Sequence, residues 1–119
     1  MTGPSTQSRG DALRTHCRAM VLLELGALPE DAERALTPGE RRLWDAMLPR
    51  RQRSFLGSRL ALKELARRLD PVGCPVDPRH IDTLAADGVR PRCHDTGRPV
   101  SVAHDGRWVI AVVGDGPIG

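Results

Sequence analysis

The chain has 119 residues and a mass of 13.0 kDa, the length of a single small domain, which argues against a complete two-domain enzyme within it. Hydrophobic residues make up 39% and charged residues 28%, which argues against collagen, coiled coil and wholesale disorder. Aromatic residues make up only 3%, which weighs against an aromatic stacking platform for single-stranded nucleic acid.

The sequence shows no membrane span and no secretion signal. No apolar run approaches the roughly 18 residues that a membrane-spanning helix needs, and the N-terminal residues lack the apolar centre of a signal peptide. Cys17, Cys74 and Cys93 are an odd number of cysteines at unrelated spacings, which favours free thiols. We therefore expect a cytoplasmic protein without a membrane partner.

The positive charge is concentrated in residues 40–69. Nine basic against three acidic side chains give this segment a net charge of +6, whereas the whole chain carries +3. Such a block favours a polyanionic partner, which leaves open a nucleotide phosphate, a nucleic acid or an acidic protein surface.

The N-terminal half predicts a leader, a strand and a helix. Residues 1–15 are polar and aperiodic, so we expect a flexible leader. Residues 17–25 form a short apolar run before Gly26, which predicts a buried strand. Thr37-Pro38-Gly39-Glu40 is a capping box with proline at the first helical position, which predicts a helix that ends or kinks before Pro49.

A longer helix is predicted over residues 50–69, where apolar residues at helical spacing form one buried stripe: Phe55, Leu62, Leu65, Ala66 and Leu69. Two consecutive helices superficially suggest a helix-turn-helix. The Pro49 joint leaves almost no turn residues, however, and no set of side chains on the basic face is suited to reading base edges. We therefore expect no nucleic-acid partner.

The C-terminal part predicts turns and a hairpin. Residues 80–86 favour a strand or a helical turn, and turns are expected at Asp87-Gly88 and Thr96-Gly97. Residues 98–103 alternate and residues 107–113 predict a fully buried strand, so Asp105-Gly106 between them indicates a hairpin.

The sequence offers few candidates for catalytic or metal-binding residues. No Cys or His pair has the CxxC or HxxxH spacing of a zinc site, and most aspartates occupy turn positions. The glycine-rich end, residues 114–119, lacks the Lys-Ser/Thr of a phosphate-binding loop. His104 stands at a strand end before the hairpin turn, where a structural and a functional role both remain open.

Three segments together resemble the Sfp-type 4′-phosphopantetheinyl transferases. Residues 101–119, SVAHDGRWVIAVVGDGPIG, resemble the family segment in which Ser-His-Ser-Gly-Arg/Gly-Trp precedes a strand and Pro-Ile-Gly. Residues 88–91, GVRP, resemble its Gly-Lys/Arg-Pro, and residues 53–63 resemble its arginine-rich FxxGRxAxK helix. The resemblance extends over about residues 17–119, with the three motifs in the family's order.

The resemblance implies an α+β fold, with a small antiparallel sheet packed against a long helix. Residues 16–119 would form the N-terminal lobe of a pseudo-dimeric transferase, which moves 4′-phosphopantetheine from coenzyme A to a serine of an apo acyl or peptidyl carrier protein. The coenzyme A contacts would come from Arg53, Arg90, Pro91, Val102, Ala103 and His104. His104 and Arg53 would lie nearest the 3′-phosphate.

The family's magnesium ligands, on an Asp-x-Glu strand after Pro-Ile-Gly and a later Trp-x-x-Lys-Glu helix, have no counterpart in this sequence. We therefore expect Mg²⁺ to be bound mainly by residues outside this chain, which would itself hold no catalytic residue and no metal ligand. The lobe would be inactive until a complementary C-terminal lobe, or self-association, completes it. Two other readings remain: a non-catalytic coenzyme A, nucleotide-binding or interaction module, and a truncated fragment without a role of its own. The family's serines beside the histidine are Ala103 and Asp105 here.

Overall fold

The computed structural model describes residues 17–85, 87–88, 90–93 and 100–114. Its strands and helices are β1 (Cys17–Glu24), α1 (Pro38–Asp45), α2 (Pro49–Leu69), β2 (Val100–His104) and β3 (Trp108–Gly114). Short 3₁₀ turns accompany them at Leu25–Ala27, Ala32–Ala35 and Pro78–His80. The predicted leader over residues 1–15, the Thr96-Gly97 turn and residues 115–119 lie outside the described residues.

The strands form one antiparallel sheet in the order β1-β3-β2, and α2 packs against one of its faces. Ala111 of the central strand pairs with Val21 on one side and with Val102 on the other. Gly106, at a φ of 94°, makes the turn between β2 and β3. The α+β architecture of a small antiparallel sheet and a long helix is thereby confirmed.

The helix boundaries follow the local sequence signals. The Thr37 hydroxyl accepts a hydrogen bond from the Glu40 N–H at 3.2 Å, and a Glu40 carboxylate oxygen accepts one from the Thr37 N–H at 2.8 Å. Leu48 is extended, as a residue before proline prefers, so the second helix begins at Pro49. The predicted stripe is confirmed, with Phe55, Leu62, Leu65 and Ala66 buried.

The sheet is buried on one face only, which corrects the prediction that residues 107–113 form a fully buried strand. Val21 and Val109 face α2 and are almost inaccessible, whereas Met20 and Leu22 remain 51% and 61% exposed. Successive side chains of a strand point to opposite faces, and one helix can cover only one of them. The other face is therefore left apolar and open, and we call it the open sheet face.

Residues 80–86 were predicted as a strand or a helical turn, and the structure shows a different arrangement. After the Pro78–His80 turn, residues 83–85 run antiparallel to residues 90–92, linked by hydrogen bonds from Ala85 N–H to Arg90 C=O at 2.7 Å and from Arg92 N–H to Thr83 C=O at 2.9 Å. This narrow loop places Pro91 beside the long helix.

A buried ion pair ties this loop to both helices. Lys63 Nζ lies 2.8 Å from Glu40 Oε1, with both side chains almost wholly inaccessible. Lys63 also donates to the Pro78 and Ile81 carbonyls at 2.8 and 2.7 Å, and the Thr83 hydroxyl donates to the second Glu40 oxygen. Burial lowers the pKa of Lys63, and the Glu40 carboxylate opposes that shift.

Cys74 and Cys93 are both buried and form no disulfide with each other. Within the described part of the chain, no helix has both the length and the apolar character to cross a membrane.

Replacing Gly57 with alanine tests the contact between α2 and the sheet. A Cβ at Gly57 would overlap Leu25 Cδ2 and lie 3.2 Å from Val109 Cγ2, and both neighbours are buried. Alanine gains roughly 1 kcal/mol of helix propensity, but overpacking a core costs about 1–3 kcal/mol. We expect net destabilisation in urea unfolding, against no appreciable change for Gly26→Ala, whose Cβ would meet nothing closer than 3.7 Å. A more stable Gly57→Ala variant would contradict this packing.

The ion pair gives a second stability prediction. Lys63→Met leaves the buried Glu40 carboxylate without its cation, so the free energy of unfolding should fall by about 3–5 kcal/mol. Adding Glu40→Gln should restore part of that loss. The control is Arg41→Ala, which breaks an exposed pair with Asp45 and should cost less than about 1 kcal/mol. Equal effects of Lys63→Met and Arg41→Ala in denaturant unfolding would show that the buried pair does not stabilise the fold.

Candidate functional site

A basic cavity of about 200 Å³ lies between α2, the end of β2 and the loop that carries Pro91. We call it the helix–strand cavity, and its lining residues are Arg51, Ser54, Phe55, Ser58, Arg59, Pro91, Val102 and His104. The helical members recur three and four positions apart, so they share one face of α2. Val102 and His104 are two positions apart on a strand and likewise share a face.

Two guanidinium groups and one imidazole line this cavity. Arg59 is buried, stacks 4.7 Å from the Phe55 ring centroid, and donates to the Thr83 carbonyl at 2.7 Å. Burial lowers the pKa of Arg59, although an arginine remains cationic at neutral pH. Arg51 and His104 are exposed at the cavity mouth. This donor set suits a phosphate or another oxyanion, because guanidinium groups make charge-assisted and bidentate contacts.

A second groove, of about 440 Å³, continues from the cavity past the start of α2. It shares Arg51, Ser54 and His104 with the cavity and adds Leu48, Arg50, Asp105 and Gly106. We call it the helix-start groove.

Asp105 brings a negative charge to this groove, but its carboxylate is held by the hairpin turn. One of its oxygens accepts hydrogen bonds from the Arg107 and Trp108 N–H groups at 3.0 and 2.9 Å. These backbone contacts, Trp108 first, lower the pKa of Asp105. The anion therefore stabilises the turn, and the cationic groups dominate the rest of the groove.

The structure brings together three of the six residues that the resemblance names. Pro91, Val102 and His104 line the helix–strand cavity. Ala103 points to the opposite side of β2 and lines an apolar pocket of about 250 Å³ on the open sheet face, which His104 also borders. His104 thus lies at the edge between the two faces.

Arg53 and Arg90 are not among the residues lining that cavity. Arg53 lies beside Trp44 in a separate cavity of about 320 Å³, because two helix positions differ by about 200° around the axis. Arg90 directs its guanidinium to Asp87 and its side chain is 79% exposed. Arg53 and His104 were expected to lie together, and the structure places them on different cavities.

Arg51 and Arg59 were not predicted as coenzyme A contacts, although Arg59 belongs to the arginine-rich motif. Both belong to the basic block of residues 40–69, but charge counting does not tell which arginines share a face. The eight-residue spacing between them, with Phe55 midway, is a helical repeat that groups them.

A metal site was expected outside this chain. Among the residues that the structure describes, no three His, Cys, Asp or Glu side chains are grouped so that they could hold a metal ion. The expectation that residues outside this chain bind Mg²⁺ stays a prediction.

No protein-family model matches the chain, and neither does any curated protein. Solved structures do match. A holo-(acyl-carrier-protein) synthase from Bacillus anthracis strain Ames, in complex with coenzyme A (3′,5′-ADP), superposes with a TM-score of 0.61 at 23% identity, over 82% of this chain and 94% of that one. The fold is that of the holo-(acyl-carrier-protein) synthases.

A holo-[acyl-carrier-protein] synthase from Thermotoga maritima gives the same TM-score of 0.61 at 25% identity. The match extends over 82% of this chain and 62% of the Thermotoga chain. These structural neighbours are phosphopantetheinyl transferases, the broader class to which the Sfp-type resemblance also points. The assignment to an Sfp-type N-terminal lobe remains a prediction.

Proposed function

We propose that this chain is the coenzyme A-binding lobe of a 4′-phosphopantetheinyl transferase. The observation that carries the proposal is a cavity with two arginines and one histidine, on a fold shared with transferases of which one was solved with coenzyme A (3′,5′-ADP). Coenzyme A carries a pyrophosphate and a 3′-phosphate, and such a ligand favours clustered guanidinium donors.

The proposed ligand contacts rest on both the family resemblance and the residues that line the helix–strand cavity. His104, Val102 and Pro91 line it together with Arg51 and Arg59, so we assign the phosphates to this side of α2. Ala103 would flank the ligand from the neighbouring pocket. Arg90, next to Pro91, is free to reorient at the rim because its ion pair with Asp87 is exposed. Arg53 stays a proposed contact on the resemblance alone.

The proposed reaction joins the carrier to the phosphopantetheine arm. The oxygen of a carrier serine attacks the pyrophosphate phosphorus that bears the pantetheine arm, and the bond to the bridging oxygen breaks. Adenosine 3′,5′-bisphosphate leaves with that oxygen, and the serine proton passes to a base. The role of this chain's residues is to bind and orient the adenosine end and its phosphates.

A partner is proposed on the open sheet face. Met20, Leu22 and Trp108 expose apolar surface there, and isolated domains seldom leave a contiguous apolar face uncovered. The partner would be a complementary C-terminal lobe that supplies the metal-binding carboxylates and the base, or a second copy of the chain. His104 borders both this face and the helix–strand cavity, so the partner would also close the ligand site.

Binding of 3′,5′-ADP by single-residue variants tests the ligand site. His104→Ala and Arg51→Ala should each weaken binding by about ten- to a hundredfold in calorimetric titration, as expected for the loss of a charged hydrogen bond. Arg53→Ala is the matched comparison, with the same residue type on the opposite side of α2. Arg34→Ala, on an exposed turn, is the neutral control.

Unchanged affinity in both His104→Ala and Arg51→Ala would refute the phosphate assignment to this cavity. A large loss in Arg53→Ala with none in Arg51→Ala would move the phosphate site to Arg53, which the resemblance names as a contact. All variants should retain the wild-type unfolding midpoint, because each changes an exposed side chain.

The transfer reaction gives the test of activity. Mixing the chain with an Sfp-type C-terminal lobe, apo carrier protein, magnesium and coenzyme A should add one phosphopantetheine to the carrier in intact-mass spectrometry. The chain without the second lobe should add none, and modification by the chain alone would favour self-association. Retained 3′,5′-ADP binding without transfer by any combination would favour the non-catalytic module, and absence of both would favour the fragment.

A further inference from the structure

A serine hydroxyl lies among the cationic groups of both basic cavities. Ser54 lines the helix–strand cavity and the helix-start groove, and Arg51 and His104 line both of them as well. The Ser54 side chain is partly buried, and its Oγ donates a hydrogen bond to the Arg51 carbonyl at 3.2 Å. This uncharged hydroxyl therefore lies where the phosphates of the ligand are proposed to bind.

Arginines precede Ser54 in the sequence and lie beside it in the structure. Arg50 and Arg51 are four and three positions before it, so the three side chains are neighbours on the surface of α2. Within the described part of the chain, no carboxylate forms an ion pair with Arg50 or Arg51, whereas the arginines at the other end of the helix both pair with Glu64. An anion attached to Ser54 would therefore meet two guanidinium groups that have no other ion-pair partner among the described residues.

The first turn of α2 is weakly stabilised, which gives an enzyme access to this segment. Its N-cap residue is Leu48, which makes no side-chain capping bond, and the turn holds no acidic residue. Arginines near the positive end of the helix dipole are unfavourable. Local opening of this turn would present residues 50–54, RRQRS, as an extended segment. Basophilic serine kinases, which select arginines before the serine that they modify, recognise their substrates by such a charge pattern.

We propose that Ser54 is a phosphorylation site for a basophilic serine kinase and that phosphoserine at this position blocks the coenzyme A site, an inference that rests on the proposed function. In this reaction Ser54 Oγ attacks the γ-phosphorus of ATP, and the bond from that phosphorus to its bridging oxygen breaks. Adenosine diphosphate leaves with that oxygen, and the hydroxyl proton passes to the catalytic base of the kinase.

The added phosphate competes with the ligand for the same cations. A phosphoserine carries a charge of about −1.5 to −2 at neutral pH. At Ser54 it would pair with Arg50 and Arg51, occupy part of the cavity of about 200 Å³ and repel the phosphates of the ligand. Ser58 lines the same cavity, but Phe55 rather than an arginine lies three residues before it. Ser58 is therefore the matched control for the kinase.

Kinase treatment of the full chain tests the modification site. Incubation with magnesium, ATP and the catalytic subunit of a basophilic serine kinase should add one phosphoryl group, which tandem mass spectrometry should locate on Ser54. Ser54→Ala should gain none, and Ser58→Ala should gain one as the wild type does. No gain by the wild-type chain, or a gain on another residue instead of Ser54, would overturn the proposed site.

Calorimetric titration with 3′,5′-ADP tests the effect of the modification on the ligand site. Phosphorylation should weaken binding by about tenfold or more, as for the loss of one charge-assisted contact, and removal of the phosphate by a phosphatase should restore it. Kinase treatment should weaken binding by Ser58→Ala to the same extent and should not alter the affinity of Ser54→Ala from its untreated value. The far-ultraviolet circular dichroism spectrum should be the same before and after treatment, so that weaker binding reports a blocked site and not unfolding.

The untreated chain separates this inference from the proposed function. If it binds 3′,5′-ADP but Ser54 is not modified, only the phosphorylation site fails. The same holds if modification of Ser54 leaves the affinity unchanged or unfolds the chain. If the untreated chain binds no 3′,5′-ADP, the proposed function fails and this inference fails with it.

Discussion

The buried contact between Glu40 and Lys63 determines how the rest of this small fold is assembled. It joins the first turn of α1 to the middle of α2, and Lys63 also holds the Pro78 and Ile81 carbonyls. A buried ammonium ion is stable only when its protons are satisfied, so the loop must follow the path that delivers those oxygens. That path places the Thr83 carbonyl where it accepts a hydrogen bond from Arg59, and this bond holds Arg59 in the wall of the basic cavity.

Local chemistry made most of the architecture predictable. The capping box at Thr37, the rigid Pro49 and the turn at Asp105-Gly106 each act over three or four residues, and the structure confirms all three. The leucine-rich stripe of α2 predicted the buried face for the same reason, since helical periodicity is a property of the segment itself. The motif order in the sequence pointed to the transferase class that the structural neighbours share.

Features that depend on long-range packing were not predictable. An apolar run such as residues 107–113 has the same sequence whether one or both faces of its strand are covered, so the open sheet face appears only once α2 is placed. The narrow loop around Pro91 depends on Lys63 and Glu40, which look like surface charges in the sequence. Whether Arg51 or Arg53 lines the basic cavity depends on the rotation of α2 about its axis, and a motif match does not specify that rotation.

His104 lies between the basic cavity and the open sheet face, the two surfaces for which binding partners are proposed. It ends β2 beside the turn that Asp105 stabilises, and it borders both the basic cavity and the apolar pocket of the open sheet face. A subunit packed on that face would exclude water from one side of the imidazole and strengthen its interaction with an anion in the cavity. Ligand affinity and partner binding would then be thermodynamically linked through one side chain, and each would favour the other. Under the proposed function, an isolated lobe is expected to bind its nucleotide more weakly than the assembled enzyme.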